Sequence, residues 1–133
     1  MGLAHFDQAP AREYALGHLR GRWTLLGEAG GSVGVGVRRI QLPSGGWSTP
    51  AHEHGRGEET FYVVDGTGIS WQRGQASQIR AGDCIVYRPR AGEHTLRADT
   101  ELDVLAFGPR EFDEAVRFPQ LGMSLLGGSA VDS

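Results

Sequence analysis

His52 and His54 stand one residue apart in Pro50-Ala-His-Glu-His-Gly. Side chains alternate along an extended chain, so the two imidazoles leave one face and can grip one metal ion together. In the next apolar run Glu59, Phe61 and Val63 share a face. A charged carboxylate on such a face is costly without compensation, and a divalent cation supplies it. Further on, His94 shares a face with Leu96. Three imidazoles and one carboxylate form a mixed nitrogen and oxygen donor set. Such a set suits one ion of Mn, Fe, Ni, Cu or Zn per chain and suits Ca or Mg poorly. An octahedral ion held by four side chains keeps two positions open for water, O2 or a bidentate substrate.

Strands have to carry these residues. Short runs rich in Val, Ile, Leu, Tyr and Phe, separated by glycine-containing turns, predict an all-β sandwich or barrel. The expected strands cover 22–26, 33–42, 47–54, 59–64, 68–73, 76–80, 83–88, 93–98 and 101–107. Asp65-Gly66 is a strong tight-turn signal between two of them, and Arg73-Gly74 and Ala81-Gly82 are weaker ones. Two helical segments are expected outside this block, at Pro10–His18 and Pro109–Phe118. The second has proline at its start, Glu111 in its first turn, Phe112, Ala115 and Val116 on one face, and Pro119 as its stop. The last dozen residues, with Gly127-Gly128, are expected to thread over the surface or fray.

Composition narrows the chemistry. The chain has 133 residues, enough for one ordinary domain. Its 13 basic residues are all arginine, which excludes a Schiff-base lysine, a lysine general base and a P-loop. With 16 acidic residues the net charge is -3, so there is no basic footprint for nucleic acid. The single cysteine, Cys84, excludes an intrachain disulfide and reads as a small buried hydrophobe. No apolar leader or 18-residue apolar stretch is present, which predicts a cytoplasmic protein without a membrane partner.

The histidine region resembles the cupin superfamily, in particular its small single-domain members. Gly46, His52, His54, Glu59 and Gly66 match the first cupin motif, G-x5-H-x-H-x3,4-E-x6-G, at every spacing. In the second motif, G-x5-P-x-G-x2-H-x3-N, the step from Pro89 to His94 fits. Six residues separate Gly82 from Pro89 instead of five, Gly92 comes one place late, and Ala98 replaces the asparagine. These departures touch turn geometry and a position outside the ligand set. Spacing from His54 permits Glu58 or Glu59; spacing back from Gly66 and the face shared with Phe61 favour Glu59, with Glu58 pointing outward. The resemblance implies a jelly-roll β-barrel over residues 30–108, an N-terminal arm over 1–29, and a C-terminal helix and tail over 109–133. It further implies the metal inside the barrel's mouth and a homodimer, and leaves open that the chain is like one half of a two-cupin protein.

Similar cupins use this ligand set for O2-dependent cleavage, decarboxylation, and isomerisation or epimerisation of small molecules. With no lysine or spare cavity histidine to act as a base, dioxygenase-type oxidoreductase chemistry on a small polar or aromatic molecule is the first expectation. A metal-dependent isomerase, epimerase or lyase, with Glu59 as a possible base, is the alternative, and a barrel that binds a small ligand without turnover is another. Arg39 and Gln41 continue the alternation of Val33, Val35 and Val37, and if that face points inward Arg39 clamps a substrate anion. If the phase is the other one, Ile40 and Leu42 face in. Tyr87 and Arg88 lie on opposite faces, so only one lines the cavity. Phe61, Leu96 and Phe107 are candidates for its apolar walls, and Trp47 and Trp71 for its rim. His5 and His18 read as surface residues. Gly30-Gly-Ser-Val-Gly34 satisfies the nucleophile-elbow pattern, and Gly34-Val-Gly36 begins a dinucleotide fingerprint, but a strand and not a helix follows both.

Overall fold

The structure, a computed structural model, describes residues 1–49, 53–54, 57–109, 115–118, 123–126 and 129–132, with 53–54 and everything after 109 described as backbone. A six-stranded antiparallel sheet runs in the order β1-β2-β3-β10-β5-β8. Its members are β1 (Ala11–Leu16), β2 (Leu19–Leu25), β3 (Val35–Leu42), β10 (Leu102–Pro109), β5 (Glu59–Asp65) and β8 (Cys84–Tyr87). A three-stranded sheet places β6 (Thr67–Gln72) between β7 (Gln75–Arg80) and β9 (His94–Ala98). A third sheet pairs β4 (Glu53–His54), β11 (Ala115–Phe118), β12 (Met123–Leu126) and β13 (Ser129–Asp132) in the order β13-β12-β11-β4. Among the described residues the helical content is one turn, α1 (Leu26–Ala29). No helix among the described residues is long and apolar enough to cross a membrane.

Period-two patterning builds the core. On β10, Leu102, Val104 and Ala106 are buried while Phe107 is exposed. On β5, Glu59, Phe61 and Val63 are buried while Tyr62 and Val64 are exposed. These inward residues join Ile40, Leu42 and Tyr87 of the large sheet with Ile79, Leu96 and Ala98 of the small one in a single cluster. The two sheets therefore bury their apolar faces against each other.

The turns decide where the chain changes sheet. At Gly66 φ is +94° and an added Cβ would lie 2.0 Å from the Glu101 carbonyl oxygen, so only glycine fits. That turn does not close a hairpin, because β5 and β6 belong to different sheets. The hairpin turn is the weaker signal, Arg73-Gly74: both residues have positive φ, 51° and 78°, and Gln72 pairs with Gln75. Two consecutive left-handed residues match the twist of the flanking strands.

Both expected helices give way to strands. Pro10–His18 contains β1, paired with β2 through six register positions from Ala11↔Thr24 to Leu16↔Leu19. Helix propensity is a weak local preference, and a hairpin closed at Gly17 (φ +63°) outweighs it. Of Pro109–Phe118, Pro109 ends β10, residues 110–114 lie outside the described set, and Ala115–Phe118 pairs with both β12 and β4. Its Val116 and Phe118 suit a strand, and the partner His54 is remote in sequence. The tail also forms strands, β12 and β13, with Leu126↔Ser129 in register.

Candidate metal centre

Glu59, Tyr87 and His94 meet at one end of the barrel. Glu59 opens β5 and stands opposite Tyr87, the last residue of β8. His94 opens β9 on the facing sheet. The His94 ring stacks on the Tyr87 ring with centroids 3.7 Å apart and an interplanar angle of 6°. Phe61 meets Tyr87 edge-on at 5.4 Å. The Tyr87 hydroxyl shares a 2.5 Å hydrogen bond with Ser70 Oγ on β6, which joins the two sheets directly behind the imidazole. His94 Nε2 lies 3.5 Å from Glu59 Oε1, and both side chains are buried.

That spacing fits metal ligation. Bonds of ~2.0–2.2 Å meeting at right to tetrahedral angles put neighbouring donor atoms about 3.0–3.5 Å apart. Glu58, the competing carboxylate, is exposed. His52 lies outside the described residues, and His54 is described only as the β4 backbone paired with Val116. Among the described residues no group of three His, Cys, Asp or Glu gathers at one point. The segment leading to His52 is nevertheless fixed against the strand that carries His94. Ser48 N–H donates to the Leu96 carbonyl (2.9 Å), Leu96 N–H donates to Ser48 Oγ (3.2 Å), and Thr95 Oγ1 donates to the Thr49 carbonyl (2.7 Å).

The inward face of β3 is the even one. Arg38 is in register with Ala106, which is in register with Phe61, so all three project to one side. Arg39 and Gln41 therefore do not line the cavity as expected. Arg39 faces outward, donating to both carboxylate oxygens of Asp103 (3.0 and 2.7 Å) and lying over the Phe6 ring. Gln41 borders a surface recess with Glu13, Arg20 and Arg22. Phe107, expected in the wall, is on the outer face of β10 and 37% exposed. Phe61, Tyr87 and Leu96 do face in, packed as core. Arg88 is exposed, and so is Cys84, which sits opposite Tyr62 on the outer face of an edge strand and is not the buried hydrophobe expected. His5 and His18 are exposed as expected, the second edge-on to a half-buried Trp47.

Arg38 was missed. Its Nη2 donates to Glu59 Oε2 at 3.1 Å, and its Cζ lies 5.1 Å from the Trp23 ring centroid. Trp23 is held in turn: its Nε1 donates to the Tyr14 hydroxyl (3.1 Å), which donates to the Ser48 carbonyl (2.5 Å). The signal was available in the apolar pair Ile40 and Leu42, whose phase carries back to Arg38.

Burial pushes the Tyr14 hydroxyl up to about 12, against a smaller lowering by the Trp23 bond. Burial, and after it the Glu59 charge, raises Tyr87 too, while the Ser70 bond opposes them. Both phenols thus stay neutral in the fold at a pH where the unfolded chain ionises. Their stabilisation is complete below about pH 10 and is lost as pH climbs towards 12 and beyond. Urea unfolding at pH 9, 10 and 11 should show stability falling only above pH 10, and Tyr14→Phe should make that fall shallower.

A cupin family model, described as the cupin domain, matches residues 38–107. No curated protein sequence matches the chain. Among solved structures, a protein of Acidithiobacillus ferrooxidans provisionally named a sugar phosphate isomerase is 26% identical with a TM-score of 0.80, over 94% of this chain and 85% of that one. A sugar phosphate isomerase from the cupin superfamily in Silicibacter pomeroyi is 22% identical with a TM-score of 0.78, over 97% and 86%. The salicylate 1,2-dioxygenase of Pseudoaminobacter salicylatoxidans is 21% identical with a TM-score of 0.55, over 74% of this chain and 25% of that one. The matched span holds both strands that meet at Glu59 and His94, and by it the chain belongs to the cupin family.

Proposed function

We propose that this cupin is a metal-dependent enzyme that isomerises or epimerises a small polar molecule held at the Glu59 end of the barrel. The observation that carries the reading is the buried carboxylate and imidazole 3.5 Å apart, with a guanidinium on the far carboxylate oxygen. Glu59 and His94, together with His52 and His54, would hold one divalent first-row ion. Such an ion supplies Lewis-acid polarisation of a substrate oxygen. Tyr87 and Phe61 close the inner side of the site to water, because both are buried and in contact. Glu59 is the only buried carboxylate among the described residues, and to act also as the base that moves the proton of an isomerisation it would release the ion from Oε1 while Oε2 stays on Arg38. The likeness to a provisionally named sugar phosphate isomerase, over most of both chains, supports this choice above oxygen chemistry.

The dioxygenase reading keeps one support, the structural likeness to salicylate 1,2-dioxygenase, which covers a quarter of that protein. Protein purified without metal-affinity resin should carry about one first-row ion per chain by elemental analysis. Incubated with a panel of aldose and ketose phosphates in D2O, it should form product without O2, incorporate solvent deuterium, and stop on chelation. Turnover that requires O2 would replace the isomerase by the oxygenase. Saturable binding with no product under either atmosphere would leave a small-ligand-binding barrel.

A further inference from the structure

We infer that Arg38 is the residue that recognises an oxyanion on the substrate, and hence that the substrate is a small phosphorylated or carboxylated molecule. This rests on the reading above, because it places the substrate at the Glu59 end of the barrel.

A guanidinium has five N–H donors in a rigid plane. Among the described residues Arg38 uses one edge of that plane, with Nη2 on Glu59 Oε2; its Nε and Nη1 make no other hydrogen bond. Its side chain is 34% exposed while Glu59 is 6% exposed, so the cation spans from the buried carboxylate to solvent. A surface arginine in that state would be free to swing. This one is held at one end by Glu59 and along its face by Trp23, itself fixed through Tyr14 to the Ser48 carbonyl. The remaining donors are therefore aimed before a ligand arrives, which lowers the ordering cost of binding one. The second Nη2 hydrogen with its neighbour on the free edge forms a fork that matches two oxygens of a phosphate or a carboxylate. Arg39 illustrates the contrast. Its Nε and Nη2 pair with Asp103 on the outer face, so its remaining donors lie on the opposite side of the sheet from Glu59.

The test is calorimetric titration of metal-loaded wild type, Arg38→Met and Arg38→Lys with inorganic phosphate and with acetate, each result scaled to measured metal content. Wild type should bind one of the two anions, and which one tells a phosphorylated from a carboxylated substrate. Arg38→Met should weaken that binding at least tenfold. Arg38→Lys should recover part of it, since a point charge replaces the fork. With substrate, Arg38→Met should raise KM more than it lowers kcat. If neither anion binds wild type, or if Arg38→Met leaves anion affinity unchanged at equal metal content, the inference fails and Arg38 is only the counter-ion of Glu59. Anion binding without isomerase turnover would overturn the reaction and leave the role of Arg38 standing. Turnover with KM unmoved by Arg38→Met would do the reverse.

Discussion

Glu59→Gln is expected to lower metal affinity at least ~100-fold, beyond the ~10–100-fold typical of losing a partner outside the ligand set. Protein that carries about one ion per chain as wild type should then emerge nearly free of metal. The substitution keeps the size of the side chain and removes its charge, so packing against Tyr87 and Phe61 persists. What is lost is the anionic oxygen 3.5 Å from His94 Nε2. Glu58→Gln is the control: its side chain is exposed and its metal content should match wild type. Elemental analysis after dialysis against a weak chelator reads both variants. Equal metal loss from the two, or from neither, would remove Glu59 from the donor set.

Tyr87→Ala should cost about 3–5 kcal/mol of stability, the range for deleting a buried aromatic ring. The ring is 1% exposed and touches Phe61, His94 and Ser70 across both sheets. It also backs the imidazole of His94, so metal affinity should fall about 10–100-fold as that ring gains freedom. Tyr87→Phe separates the two effects. It keeps the stacked ring and strands Ser70 Oγ, so about 1–3 kcal/mol of stability should go while metal affinity stays near wild type. Urea unfolding of the metal-free proteins, set beside metal titration of the same variants, reads both quantities. A Phe variant that loses metal as badly as the Ala variant would mean the hydroxyl, not the ring, positions His94.

Much of this was legible along the chain, and for local reasons. Strand alternation put Glu59, Phe61 and Val63 on one face, and the structure buries all three. Spacing back from Gly66 preferred Glu59 to Glu58, and burial separates them in the same sense. The errors share a cause. The sequence leaves both phases of β3 equally open, Arg39 facing in with Val33, Val35 and Val37 or Ile40 and Leu42 facing in instead, yet Val33 and Val35 are exposed. The inward phase of β3 is dictated by Ile40 and Leu42 packing against β10 and β5, contacts between segments far apart in sequence. The same applies to Pro10–His18, whose local preferences allow a helix until β2 offers a ladder.

Residue order alone settled which side chains alternate with which, where glycine must turn the chain, and which histidines and carboxylate recur at cupin spacing. Those properties depend on neighbours one to six positions away, within reach of backbone geometry and turn chemistry. Only the folded molecule decided that Arg38 meets Glu59 across 21 positions, that Tyr14 reaches Ser48 across 34, and that Tyr87 stacks behind His94 from the opposite sheet. Each joins strands whose proximity follows from burying a shared apolar face, and no local pattern encodes which distant partner completes that face.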